Sequence, residues 1–156
     1  MPDRRAVVEP LRHHRQLALI GDGDEIAPGV SAVVTRGHSV GHNSYVVTSS
    51  AGQRLIAFRD IFHVPAQLSH PQWGSAPDAV PQPVPAARQK IINDLLHPAT
   101  YGFALHFGDQ PFGRVRLDAN ATPRWQPLPT VVLAPPPPRP ATHEPFLQHE
   151  AFGLSC

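Results

Sequence analysis

One segment of the chain reads Thr35-Arg36-Gly37-His38-Ser39-Val40-Gly41-His42-Asn43-Ser44-Tyr45. It follows an apolar run at residues 30–34 and leads into a second run, rich in β-branched residues, at 45–47. We therefore predict two strands joined by a tight loop, in which the glycines allow the backbone to turn sharply. Such a loop presents His38 and His42 at a strand end, where a rigid sheet can hold a ligand. The two histidines either bind a metal ion or only bond to backbone groups.

The composition limits what the chain can be. At 156 residues with 41% hydrophobic residues, it is long enough for one domain with a real core. A net charge of +1 and the lack of a basic run argue against nucleic-acid and membrane-surface partners. The single cysteine, Cys156, excludes an internal disulfide. With no apolar leader after Met1, we predict a cytoplasmic protein.

Hydrophobic periodicity outlines the secondary structure. The chain alternates short apolar runs with turn signals, and only one segment has helical spacing, with Ala87, Ile91 and Leu95 on one face. We predict strands at 16–20, 30–34, 44–48, 54–58, 101–105, 112–117 and 124–128, a helix at 86–97 and a loop at 61–73.

The same pass divides the chain into three units. Residues 1–15 have no clear periodicity and are predicted to be coil or a helix remnant, and residues 16–128 form the main unit. Residues 129–156 contain four consecutive prolines at 135–138, which favour a polyproline helix, so we predict a disordered tail. An alternative is that this tail is a proline-rich ligand for an aromatic groove.

Three side chains with metal-ligand chemistry lie at or just past predicted strand ends: His42, Asp60 and His106. Strand ends on one edge of a sheet converge in space even when they are distant in sequence. Imidazole and carboxylate groups suit zinc and similar divalent ions. The pattern therefore predicts a metal site at this edge.

Four segments, in order, resemble one family. Residues 37–42 resemble the motif Gly-His-Thr-Pro-Gly-His, and residues 59–63 resemble Gly-Asp-x-x-His. Residues 65–73, and His106 with the Pro-Phe-Gly-Arg-Val run that follows at 111–115, are similar to two further stretches. All four are typical of metallo-β-lactamase-fold hydrolases, in the branch with lactonases and methyl-parathion-type hydrolases. The resemblance covers about residues 16–128.

The resemblance implies a fold, a site and an activity. The fold is α+β, the C-terminal half of the αββα metallo-β-lactamase sandwich. His42 and His106 would each bind one divalent ion, in the first instance zinc, and Asp60 would bridge the two ions as the catalytic carboxylate. The implied activity is metal-assisted hydrolysis of a small-molecule lactone, ester or phosphotriester.

The remaining candidate residues have supporting roles in this interpretation. His38 is predicted to brace the loop. His63 and His70 are predicted to shape the pocket or to orient the ligands, which need such support. Trp73 either lines an apolar substrate pocket or packs in the core.

Departures from the family pattern limit the functional expectation. The His-x-His-x-Asp-His motif that supplies the family's other ligands is absent from the chain, and Arg59 replaces the glycine before the bridging aspartate. Pro83 and Pro85 are expected to erode the start of the helix. Two hypotheses follow: a truncated or split hydrolase that needs a complementary N-terminal half, or a non-catalytic remnant that binds one metal or none and associates with a second copy of itself.

Overall fold

A computed structural model describes residues 4–129 of the chain. The helices are α1 (Arg4–His13), α2 (Ala66–Ser69) and α3 (Val84–Leu95), and a single 3₁₀ turn spans Arg59–Ile61. The strands are β1 (Glu25–Ala27), β2 (Val30–Val34), β3 (Asn43–Thr48), β4 (Arg54–Ala57), β5 (Thr100–Phe103), β6 (Phe112–Leu117) and β7 (Pro123–Pro127).

The seven strands form one sheet whose spatial order follows the sequence order. Neighbouring strands are antiparallel except β4 and β5, which pair in parallel. A parallel pair needs a crossover connection, and α3 lies in the segment that provides it. As a result, β2, β4 and β5 run in the same direction, and their carboxyl ends lie at one edge of the sheet.

One face of the sheet carries the hydrophobic core. Val46, Ile56 and Val115 are buried on this face, whereas their sequence neighbours on the opposite face are more accessible. The helix α3 packs Ile91, Ile92 and Leu95 against it. Burial of these side chains is what fixes α3 on the sheet, at about 1.5–3 kcal/mol for each fully buried aliphatic group.

The opposite face is apolar but only half covered. Tyr45, Leu55 and Tyr101 on this face are partly exposed, while Val47 and Phe112 are 42% and 46% exposed. Together these five residues form what we call the open face. A sheet face of this composition is normally buried against another layer.

The fold class is the predicted α+β arrangement, and the predicted strands at 30–34 and 112–117 have the observed bounds. The strand predicted at 16–20 is wrong, because this segment has no sheet partner and Leu19 is 92% exposed. The predicted loop at 61–73 contains α2. Residues 130–156 of the predicted tail lie outside the described residues.

The expectation that prolines erode the start of the helix is also wrong. The helix α3 begins at Val84, with Pro83 as its cap and Pro85 in its first turn. The first turn has no intrahelical partner for its N–H groups, so proline costs little there and its fixed φ favours the helix.

No helix between residues 4 and 129 is long and apolar enough to cross a lipid bilayer.

Candidate metal centre

The sheet topology brings the predicted ligands to one edge. His42 lies where the β2–β3 loop enters β3, Asp60 follows β4, and His106 follows β5. Since β2, β4 and β5 point in the same direction, these three positions share the edge at which those strands end. His63 follows the 3₁₀ turn that carries Asp60, and joins them there.

His42 is buried and held in a defined orientation. Its Nδ1 lies 3.0 Å from the carbonyl oxygen of Thr35 and 2.9 Å from the Thr35 hydroxyl. A carbonyl oxygen can only accept, so Nδ1 carries the proton and Nε2 keeps its lone pair. This Nε2 is buried and has no hydrogen-bond partner among the described residues. Bonding of one ring nitrogen to fix the tautomer and present the other is how proteins prepare a histidine for a metal.

The same burial sets the charge state of His42. Burial holds the pKa of His42 below its usual value, because the imidazolium loses hydration. The hydrogen bond to Thr35 and the charge of Asp60 oppose this effect without reversing it. The ring is therefore neutral near pH 7, the form that binds metal.

Asp60 and His106 form a more accessible pair. The Nε2 of His106 lies 2.7 Å from Oδ1 of Asp60, and 39% of the His106 side chain is exposed. Burial raises the pKa of Asp60, but the His106 hydrogen bond and the charge of His38 outweigh it, and the pKa lies below its usual value. The carboxylate is thus ionised and able to act as an anionic ligand.

His63 lies against the same pair. Its ring stacks on that of His106 with centroids 5.0 Å apart and an interplanar angle of 15°. Asp60, His63 and His106 each offer a ligand atom within 4.8 Å of the other two. Burial holds the pKa of His63 below its usual value, assisted by the charges of His106 and His38. The sequence predicted a supporting role for His63, whereas its position is that of a candidate ligand.

His38 connects this group to a buried carboxylate. Its ring centroid is 5.3 Å from that of His63 and 5.8 Å from that of His42. Its Nδ1 lies 3.5 Å from Oδ1 of Asp78, whose side chain is almost fully buried. The loop that carries His38 is fastened by two backbone hydrogen bonds, from Ala79 to the His38 carbonyl and from Val80 to the Gly37 carbonyl.

A buried arginine, absent from the sequence-based predictions, organises the segment between Asp60 and α3. Arg88 is fully buried, and its guanidinium donates to the backbone carbonyls of Ile61, Pro71 and Trp73. Its Nη2 also lies 3.8 Å from Oδ2 of Asp78. The signal was present in the sequence, since position 88 precedes the apolar positions 91, 92 and 95 by three, four and seven residues and so lies on the core face of the helix.

Gln67 is a second residue that the sequence analysis missed. Its Oε1 accepts hydrogen bonds from the backbone N–H groups of His63 and Val64, and its Nε2 donates to Ser75. The residue is buried, so these bonds are shielded from water. They fix the backbone that presents His63.

Arg59 occupies a position with glycine-like backbone geometry. Its φ of 49° lies in the left-handed region, which side chains with a Cβ rarely adopt. The residue is exposed, and among residues 4–129 the carboxylate of Asp60 pairs with His106 rather than with Arg59. The arginine therefore extends into solvent and does not compete for the carboxylate.

His70 and Trp73 lie apart from this group. Their rings stack on each other, with centroids 4.2 Å apart and an interplanar angle of 10°, and both residues are exposed. Trp73 contributes its backbone carbonyl to Arg88 rather than its ring to the metal-ligand group. A pocket role for either residue stays a prediction.

Comparison with solved structures identifies the fold. The hydrolase AbOPH of the beta-lactamase superfamily superposes with a TM-score of 0.67 at 22% sequence identity, over 79% of this chain and 42% of that chain. AidC, a dizinc quorum-quenching lactonase, gives a TM-score of 0.66 at 18% identity, over 83% of this chain and 48% of that one. The chain has the metallo-β-lactamase fold.

A third solved structure with this fold, a probable metal-dependent hydrolase from Staphylococcus aureus, gives a TM-score of 0.60 at 21% identity, over 77% of this chain and 43% of that one. The chain thus spans less than half the length of each of these three hydrolases. No protein-family model matches the sequence, and no curated protein matches it either.

Proposed function

We propose that this chain is the C-terminal half of a two-metal hydrolase of the lactonase and methyl-parathion-hydrolase-like branch. Combined with an N-terminal half that supplies His-x-His-x-Asp-His, it would hydrolyse a small-molecule lactone, ester or phosphotriester. The observation that carries the proposal is the oriented His42, with a free and buried Nε2, at the same sheet edge as Asp60 and His106.

The residues at this edge fit divalent ions of the zinc type. Two imidazoles and one carboxylate are suitable donors, and an unpartnered buried nitrogen is costly unless something binds it. In the proposed site His42, Asp60 and His106 would hold the ions together with ligands from the complementary half. When bound, such ions supply a Lewis acid and lower the pKa of water.

The chain's own residues prepare this chemistry before any ion binds. Thr35 fixes the His42 ring, and Gln67 and Arg88 hold the backbone that carries His63. Three ligands cannot complete two sites, because each zinc ion in a catalytic centre takes about three protein ligands. The missing ligands are what the complementary half would supply.

The open face is the surface on which we propose that the complementary half docks. A groove of about 280 Å³ crosses it, lined by residues that include Val47, Leu55, Tyr101 and Phe112. The strands that carry these residues already have hydrogen-bonded neighbours on both sides within the sheet. A partner would therefore pack on the face as a second layer. The similar hydrolases, each more than twice as long as the aligned part, have the chain length for such a layer.

Reconstitution tests this proposal. The chain is co-expressed with the N-terminal part of one of the three similar hydrolases, and bound zinc and hydrolysis of a lactone and a phosphotriester are measured. We expect two ions and turnover from the pair, and loss of turnover with His42→Ala or Asp60→Asn in this chain. A pair that binds two ions without hydrolysing either substrate would contradict the function, and turnover by the chain alone would contradict the need for a partner.

Two observations favour a second candidate, the non-catalytic remnant. The hydrogen bond between Asp60 and His106 satisfies both groups without an ion, and Arg59 introduces backbone strain next to the carboxylate. In this case the open face would be covered by a second copy of the chain. A concentration-dependent dimer that disappears with Phe112→Glu, together with an inactive reconstituted pair, is the expected result for this candidate.

A further inference from the structure

We infer that this chain by itself binds one divalent ion, through Asp60, His63 and His106, and that His63 rather than His42 completes this site. The inference rests on the proposed function only in taking this sheet edge as a metal site. It assigns a ligand that the motif comparison did not, and it requires no complementary half.

The three ligand atoms are already close to a coordination geometry. They lie within 4.8 Å of one another, and His106 Nε2 lies 2.7 Å from Asp60 Oδ1. Tetrahedral ligands about 2.1 Å from zinc are about 3.4 Å from each other. The 2.7 Å contact and the 4.8 Å limit lie on either side of this spacing.

The backbone of His63 is held by contacts other than those with His106 and Asp60. Its backbone N–H donates to Gln67 Oε1 at 2.7 Å, and Gln67 is itself anchored by a 2.8 Å bond to Ser75. The imidazole Nδ1 of His63 is buried and has no hydrogen-bond partner among residues 4–129. The backbone of His63 is thus fixed, and its ring stacks on His106 with Nδ1 unused, as expected of a ligand.

His42 lies outside the group formed by Asp60, His63 and His106. Its Nδ1 is engaged by Thr35, so the ring orientation is fixed by two buried contacts. Its Nε2 does not belong to the group of ligand atoms formed by Asp60, His63 and His106. His42 and Asp60 offer only two ligands to a second ion, too few for a stable site. One ion per chain follows.

Metal titration of the full-length chain tests the inference. Zinc affinity is measured by chelator competition, and cobalt absorption reports the ligand environment. We expect one ion per chain. His63→Gln and His106→Gln should each weaken binding by more than the roughly 10–100-fold that follows loss of an outer-shell partner. His97→Gln, at an exposed histidine before β5 and so at the opposite end of that strand, is the matched control and should retain one ion with unchanged affinity. His42→Gln tests the competing assignment.

Folding of each variant is checked by circular dichroism and thermal unfolding with and without zinc. A chain that binds no ion, or one that loses its ion with His42→Gln and keeps it with His63→Gln, overturns the inference. Hydrolysis by the reconstituted pair is a separate readout. If the pair hydrolyses substrate but the chain alone binds no ion, the inference is refuted and the proposed function is retained. If the chain alone binds one ion but the pair is inactive, only the proposed function is refuted.

Discussion

Two regions at the same sheet edge present their histidines in opposite ways. The β2–β3 loop buries His42, which is 5% exposed, and fixes it through Thr35, a fully buried residue of the same loop. The region after β4 and β5 exposes His106 and holds it through its contact with Asp60 and its stacking on His63. In the first region, contacts within the loop itself set the orientation of His42. The second depends on a long-range contact and, we propose, on a metal ion.

The largest expected effect comes from removing the anchor of the second region. Arg88→Met leaves the carbonyls of Ile61 and Trp73 without their donor and Asp78 buried without its cation. We expect a loss of about 3–5 kcal/mol in unfolding free energy, measured by urea denaturation. Lys90→Met on the same helix removes an exposed ion pair with Asp22 and should cost at most about 1 kcal/mol. Equal effects of the two changes would contradict the anchoring role.

The β2–β3 loop is tested by its two glycines. Gly37 has a φ of 142°, and a Cβ there would overlap Cγ2 of Val84. Gly37→Ala should therefore destabilise the protein by about 3 kcal/mol, because it adds a steric clash to a strained backbone. A Cβ at Gly41 meets no atom within 4 Å, so Gly41→Ala serves as the control. The comparison is made by thermal unfolding, and a tolerated Gly37→Ala would mean that the loop is not rigidly packed on α3.

A smaller effect of opposite sign is expected at Arg59. Replacing this left-handed residue by glycine relieves backbone strain and should raise the unfolding free energy by about 1 kcal/mol. Arg36, which is also exposed but lies outside the left-handed region, provides the control, since Arg36→Gly should destabilise slightly. Urea denaturation of both variants measures the difference. Destabilisation by Arg59→Gly would show that the arginine side chain contributes a contact worth more than the strain.

The smallest effect is a pH dependence shared by both regions. Burial holds the pKa of His42 and of His63 below the usual value in the folded state. As pH falls through about 6.5, the unfolded chain takes up protons that the folded chain does not, so stability decreases on acidification. Asp60 also has a lowered pKa, but its contribution is lost only in a lower window, below about pH 4.

Urea denaturation between pH 8 and pH 5.5, in the presence of a chelator, measures this dependence. His63→Gln should reduce the slope, because one of the two histidines no longer titrates. A stability that is constant or increases on acidification would be inconsistent with neutral, buried rings at these two positions.

Local patterns were sufficient for most of the strands and for the helix. Alternation and turn residues marked β2, β3 and β6, because side-chain period and glycine conformation are properties of a few consecutive residues. The strand predicted at 16–20 failed because apolar residues alone do not supply a sheet neighbour. The prolines near α3 were misjudged because their cost depends on their position within the helix.

The sequence by itself determined that His42, Asp60 and His106 would meet at one sheet edge, since each follows or precedes a strand in a recognisable motif. Only the tertiary structure decided that His63 joins Asp60 and His106, that Arg88 is buried beneath the segment carrying them, and that one sheet face stays open. These features depend on the parallel pairing of β4 with β5 across the intervening residues. The hydrophobic periodicity of a short segment does not show which side chains such a pairing brings into contact. Those contacts depend on how the whole sheet packs against α3.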